Sequence, residues 1–392
     1  MKSQHQHTQI KRLLHISLPP GQSAFLWGPR KVGKSTFLKS NFSSSIVYDL
    51  LKSDLFLQLT KKPSLLREEL LAQSLEKLKQ PIIIDEVQKV PALLDEVHWL
   101  IENKGLSFIL CGSSARKVKR GHANLLGGRA WRFEMFPLVY PELPQVNLFN
   151  ILNQGTLPAH YGYEHYQRSL QSYVTDYLKE EIFAEGLTRN IPAFSRFFEA
   201  MGYSHGEMTN YSNISRDVGV DAKTVKEYYQ ILVDTLVGFF VLPYKKRQNR
   251  KVITKIPKFY LFDVGVAGII ARRKITKLKG IEFGQALEHY VATELKAYSS
   301  YSEKDFTINY WRTKTGLEVD FILGDAEVAI EVKGTGQVDS TNLRGLKTFA
   351  EEFQPKRALV VSNDLRSRVI GQQLEILPWE EFLQQLWSGA VI

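Results

Sequence analysis

The chain has 392 residues, 51 Lys and Arg against 41 Asp and Glu, a net charge of +10, and 44% apolar side chains. That length suggests two or three domains with ordinary cores. A single cysteine, Cys111, excludes an internal disulfide and a cysteine-built zinc site. The richest apolar run, Leu236 to Leu242, is far below the roughly 18 residues that span a bilayer. Met1 to Gln9 is polar without a hydrophobic signal core, so the expected compartment is the cytoplasm.

In chain order, Ala24 to Trp27 reads as a short buried strand. It runs directly into Gly28-Pro29-Arg30-Lys31-Val32-Gly33-Lys34-Ser35-Thr36, which matches G-x-x-x-x-G-K-[ST] in its required setting between strand and helix. Glycines let backbone N–H groups curl around phosphate oxygens without an obstructing Cβ. Lys34 offers a point charge to the β- and γ-phosphates, Ser35 a hydroxyl to Mg²⁺, and the helix from Ser35 its positive end. Ile46 to Asp49 is a second expected strand, and Leu65 to Leu78 an expected helix. Ile82-Ile83-Ile84 is a strand buried on both faces, followed by Asp85 and Glu86 at its C-terminal end, where ligands bind in open α/β sheets. Asp85 is the expected Mg²⁺ holder and Glu86 the expected base for the water that attacks the γ-phosphate.

Pro91 to Ile101 follows as an amphipathic helix, Ser107 to Cys111 as a strand with Cys111 in its core, and Ala130 to Phe136 as another strand. Ser113 or Ser114, just past Cys111, is placed to sense a γ-phosphate. Arg129, after Gly127-Gly128, can either reach a nucleotide in a neighbouring subunit or decorate a surface turn. The alternation predicts an α/β domain with a mostly parallel sheet over residues 1–145, an ATP-binding P-loop core.

A polar, Pro-containing stretch at Pro141 to His160 marks the expected boundary, and Tyr161 to Asp234 reads as helical. Within it, Tyr211 to Val218, Gly219-Val220-Asp221 and Ala222 to Tyr229 spell helix, turn, helix, with Asp221 as N-cap. Ile214, Val218, Val225, Tyr228 and Tyr229 form its expected core, leaving Lys223, Thr224 and Lys226 outward. Phe239 to Leu242 and the basic segment after it would add a wing. This module reads DNA or serves only as packing. Between Lys245 and Lys279 lie twelve basic residues, among them Lys246, Arg247, Arg250, Lys251, Lys258 and Arg273, against the single acid Asp263. Such a cluster is the footprint of a polyanion such as DNA, or else of a membrane surface or a solubilising surface.

From 271 to 392 strands and helices return. Glu318 to Leu323 and Ala329 to Lys333 read as two strands of a hairpin turning at Gly324-Asp325. Alternation puts Glu331 and Lys333 on one face, Ile330 and Val332 on the other, with Asp320 beside Glu331 across the hairpin. With Glu288 from a preceding helix, this set fits a metal-dependent phosphodiesterase. Glu288, Asp320 and Glu331 would hold Mg²⁺ and Lys333 would orient the water. The same pattern also fits a strand with its charges turned to solvent.

Taken together, Gly28 to Thr36, Ile82 to Glu86, Leu110 to Ser114, Leu126 to Arg129, Tyr173 to Ile182, Lys258 to Gly265, Gly284 to Leu295 and Tyr310 to Lys333 resemble prokaryotic AAA-type ATPases whose C-terminal half was catalogued as a domain of unknown function. The resemblance implies an ATPase core with an inserted sensor strand over 1–145, a helical and winged helix-turn-helix region over 146–270, and a restriction-endonuclease-like PD-(D/E)xK domain over 271–392. It assigns ATPase roles to Lys34, Ser35, Asp85 and Glu86, and nuclease roles to Glu288, Asp320, Glu331 and Lys333. Val319 stands where the motif's name has proline. The expectation is an ATP- and Mg²⁺-using enzyme that couples nucleotide state to DNA binding or cleavage, or a nucleotide-gated switch without cleavage. A homo-oligomer is compatible with either.

Overall fold

The computed structural model describes residues 10–114, 126–178, 190–245, 256–339, 343–371 and 374–392. Five strands, β1 (Ser23–Trp27), β2 (Val47–Asp49), β3 (Ile82–Asp85), β4 (Phe108–Gly112) and β5 (Ala130–Glu134), form one parallel sheet in the order β2-β3-β4-β1-β5. Every residue of β1, β3 and β4 is buried, which is why their sequences are continuous rather than alternating apolar runs. β4 lies between β1 and β3, so the phosphate-loop strand and the Asp85 strand are next-but-one neighbours. The helix expected over Leu65 to Leu78 ends at Leu71. Leu75 is 84% exposed, and Leu78 packs partly buried against the core from a separate turn at Lys77–Lys79, so the apolar period is broken there.

The stretch expected to be a polar boundary is folded. Helix Leu148–Gln154, capped by Asn147, buries Leu148, Ile151 and Leu152 in the core of the C-terminal sheet. Gly155 ends it at φ 69, and a Cβ there would stand 2.0 Å from Asp263. Asp263 accepts from Thr156 N and caps helix Val264–Ile270 through Gly265 N and Val266 N.

Helices Ile191–Tyr203, Tyr211–Val218 and Ala222–Asp234 pack on a shared aromatic core, with Phe197 set between Tyr228 and Tyr229. Gly219 takes φ 74 at the turn and Asp221 caps the last helix by accepting from Thr224 N. β6 (Gly238–Pro243) then pairs antiparallel with β7 (Lys258–Leu261). This hairpin is not free-standing. β6 also pairs with β8 (Ile308–Arg312), joining a larger sheet with β9 (Glu318–Leu323), β10 (Val328–Lys333), β11 (Arg357–Ser362), β12 (Arg368–Ile370) and β13 (Leu374–Pro378). The order is β12-β13-β11-β10-β9-β8-β6-β7. Helix Ile281–Tyr301 covers one face of that sheet and helix Arg344–Phe353 the other. Among the described residues no helix is long and apolar enough to cross a membrane.

Candidate functional site

The loop leaving β1 is shaped by two glycines with different reasons. Gly28 passes so close to β5's exit that a Cβ would meet Met135 O at 2.5 Å, and Gly33 turns the chain at φ 100 into helix Lys34–Asn41. Lys31 also lies in the left-handed region, at φ 66, with its side chain exposed. Pro29 and Val32 are buried beneath the loop. Lys34 is buried and folds back over the cradle, its Nζ donating to Gly28 O at 2.6 Å and Pro29 O at 3.0 Å. Tyr173 donates to Arg30 O from the helical region. Thr36 sits exposed in the helix's first turn.

At the end of β3, Asp85 Oδ2 accepts from Ser35 Oγ at 2.8 Å, so the two expected Mg²⁺ donors are already side by side. Glu86 follows at φ 59, a left-handed conformation uncommon outside glycine. It is buried, and burial pushes its carboxyl up, against Arg30 and Lys34, which pull it down. Gln88 Nε2 donates to Glu86 Oε2 at 2.5 Å and to Ser113 Oγ at 3.1 Å. Ser113, at the tip of β4, is thereby tied to the carboxylate. Sequence reasoning missed Gln88; no motif marks it, and only the fold brings β3's exit against β4's.

The C-terminal constellation also gathers. Glu288, Asp320, Glu331 and Lys333 line one cleft of about 570 Å³, together with Glu318 and Lys258. The β9–β10 register pairs Ile330 with Phe321, and the next step along brings Glu331 opposite Asp320, whose Oδ2 accepts from Val332 N at 2.8 Å. Ile330 and Val332 point into the core on the other face, as alternation requires. Lys333 Nζ lies 2.5 Å from Glu331 Oε1, while Glu331 Oε2 is buried without a hydrogen-bond partner. Burial, with Glu331 and Glu288 nearby, holds Asp320 well above the usual carboxylate range, and burial lifts Glu331 to about 7. Lys258 was expected on a basic surface. Instead it is 4% exposed, with Nζ 2.6 Å from Glu318, 3.1 Å from Glu288 and 3.6 Å from Asp320. Among the described residues no group of three or more His, Cys, Asp or Glu side chains is gathered closely enough to hold a metal ion.

Residues 21–143 match the AAA domain. The chain is a P-loop ATPase. Residues 146–277 and 283–382 of the ATPase match two domains of unknown function (DUF8612 and DUF4143). Uncharacterized proteins Mb2031c of Mycobacterium bovis and Rv2008c of Mycobacterium tuberculosis are each 23% identical to it over 370 residues, 90% of this chain and 78% of theirs. Among solved structures it is similar to the Walker-type ATPase Paby2304 of Pyrococcus abyssi, with a TM-score of 0.41 and 14% identity, covering 63% of this chain and 90% of that one.

Two further features of the ATPase correct or extend the sequence reading. Arg129 lies at the N-terminal end of β5, beside Ser23 at the start of β1, and ion-pairs with Glu102. The strands are parallel, so it stands at the opposite end of the sheet from its own chain's phosphate loop. Arg12, unremarked in the sequence, reaches that loop. Its Nη1 donates to Val32 O at 2.5 Å, its Nη2 to Phe136 O at 2.6 Å, and its Nε to Glu142 Oε2 at 2.9 Å, with both side chains of the pair buried. Of the expected DNA contacts, Lys223, Lys226 and Lys245 are exposed, while Thr224 turns its hydroxyl back to Asp221 Oδ2. Lys246, Arg247, Arg250 and Lys251 lie outside the described residues. Arg273 is half-buried and donates to Val264 O, so it too leaves the basic surface.

Proposed function

We propose that this ATPase is a switch whose nucleotide state governs how its remaining two-thirds engages DNA. The observation that carries the coupling is Arg12: one guanidinium holds the phosphate loop at Val32 and, through Glu142, the segment that enters the C-terminal unit. That segment continues into the unit's core, where Tyr140 N donates to Glu294 and Trp387 Nε1 donates to the same carboxylate. Any rearrangement of the loop on ATP binding therefore pulls on a buried ion pair shared with the rest of the chain.

At the nucleotide, Lys34 exchanges its carbonyl partners for phosphate oxygens. Ser35 and Asp85 are the hard oxygen donors that suit Mg²⁺, which when bound neutralises charge on the β- and γ-phosphates. Glu86 takes the proton of the attacking water. Gln88 fixes one of its oxygens, which aims the other, and Ser113 lies beside the transferred group. In a homo-oligomer Arg129 serves a neighbouring copy's nucleotide rather than its own. Lys223, Lys226 and Lys245, with Lys246, Arg247, Arg250 and Lys251, supply the phosphate contacts to DNA. The domain limits we adopt are 1–145, 146–270 and 271–392.

A second reading concerns the carboxylate cleft. Metal-dependent cleavage needs Glu288, Asp320 and Glu331 free to share a divalent ion. Lys258 already stands against two of these three, and Lys333 against the third. The donor set does not suit a metal as it stands, and this favours an ATP-gated binding protein without nuclease chemistry. The test is ATP turnover with and without duplex DNA, beside a Lys34→Ala control, and plasmid nicking with Mg²⁺. DNA-stimulated turnover without nicking is expected. Turnover indifferent to DNA contradicts the switch. Nicking lost in Lys333→Ala, with turnover intact, contradicts the second reading.

A further inference from the structure

Lys258 is a charged group whose place in the fold runs against its place in the sequence. It opens β7, where it pairs with Val241 on one side and bridges Met208 on the other, so its backbone is fixed from both directions. Its stem passes Tyr310, with Nζ 5.6 Å from the ring centroid, and the ammonium ends among Glu318, Glu288 and Asp320. Tyr260 donates to the same Glu288 oxygen at 2.5 Å, which fixes that carboxylate toward the lysine. Arg312 holds the other oxygen of Glu318 at 2.6 Å.

A buried ammonium is costly unless paired, and carboxylates crowded together are costly unless a cation stands between them. Each group removes the other's penalty. Burial disfavours the lysine's charge, but Glu288, Tyr260, Asp320 and Glu318 more than reverse this and hold its pKa well above the ordinary value. A divalent ion seeking oxygens of Glu288 and Asp320 would have to share them with a fixed positive charge a few ångströms away, where like charges repel strongly in a partly desolvated cleft.

We propose that Lys258 is the resident cation of the C-terminal cleft, occupying the place a divalent metal would need, so that the native cleft takes up no Mg²⁺ or Mn²⁺. This rests on the reading of the cleft as a site without nuclease chemistry and gives its physical cause. The same lysine makes the cleft a latent metal site. With the ammonium removed, Glu288 and Asp320 lose their counter-charge beside the unpartnered Glu331 Oε2, while Lys333 stays on Glu331 Oε1.

Mn²⁺ binding by calorimetry on the full chain tests this, using nucleotide-free protein with Ser35→Ala to weaken metal binding at the phosphate loop. No bound Mn²⁺ is expected for that protein, and one ion per chain for the Ser35→Ala, Lys258→Met double variant. Adding Asp320→Asn to the double variant should remove the gained ion. An ion bound with Lys258 intact and lost on Asp320→Asn overturns the proposal, as does a folded Lys258→Met protein that gains none. If Lys258→Met does not fold, the measurement with Lys258 intact decides alone. Nucleotide-dependent DNA binding is measured separately, so a failure of the switch and a failure of the resident cation give different results.

Discussion

Glu86 shows at the residue scale how this site was only half legible. Its position after an apolar strand marks it as the base, but its left-handed backbone and its hold by Gln88 come from two strands meeting in space. Glu86→Gln should bind ATP normally and lose turnover by roughly a hundredfold or more, the usual share of a general base; equilibrium binding beside steady-state kinetics separates the two effects. Gln88→Ala should lower kcat with little change in KM, because it holds the proposed base, Glu86. Glu294 allows a test by pH. Burial lifts its pKa from 4.5 to about 7. The folded state therefore keeps a proton that the unfolded chain has lost. Its contribution is fully present below about pH 4.5 and is lost as pH rises through about 7, by roughly 3 kcal/mol at 1.36 kcal/mol per unit. Denaturation curves from pH 5 to 8 should fall less steeply for Glu294→Gln than for the native chain. An unchanged slope contradicts this. Lys258 is the clearest failure of composition, since a charge count cannot tell a basic surface from an ammonium buried among carboxylates.

The phosphate loop behaves as one element. A trans peptide points its C=O and N–H in opposite directions. Because Arg12 holds the Val32 carbonyl on one side, the Gly33 N–H is held facing the other. Arg12 is thus a positioning residue for the loop. Arg12→Lys retains charge but not the forked geometry; it should weaken ATP binding severalfold and Arg12→Ala more, with circular dichroism restricting the comparison to folded protein. Equal affinity in all three contradicts the role. Gly28→Ala and Gly33→Ala should both lower the denaturation midpoint, the first because its Cβ strikes Met135 O at 2.5 Å, the second because φ 100 strains any side chain although nothing lies nearer than Arg12 Nη1 at 3.5 Å. The buried strands, the helix-turn-helix pair and the β9–β10 hairpin were readable because each obeys a local period or cap. Helix Leu148–Gln154 was not, because its apolar face is set by a core built mostly from residues far along the chain. The fusion of β6 to the C-terminal sheet through β8 has no local signal either.

The whole molecule joins a P-loop ATPase to a helical face bearing Lys223 and Lys226 and to a carboxylate cleft. If Lys223 and Lys226 contact phosphates, the fall of log affinity with log salt should lessen by about 0.9 for each lysine replaced by alanine; an unchanged slope removes them from the interface. Coupling requires that DNA prefer one nucleotide state, and thermodynamic linkage makes the preference reciprocal. The most direct measurement is duplex-DNA affinity at fixed salt for the Glu86→Gln chain, with saturating ATP and Mg²⁺ and again without nucleotide. A nucleotide-governed switch requires affinities that differ at least severalfold, with the difference abolished by Lys34→Ala; equal affinities in the two states would contradict the switch.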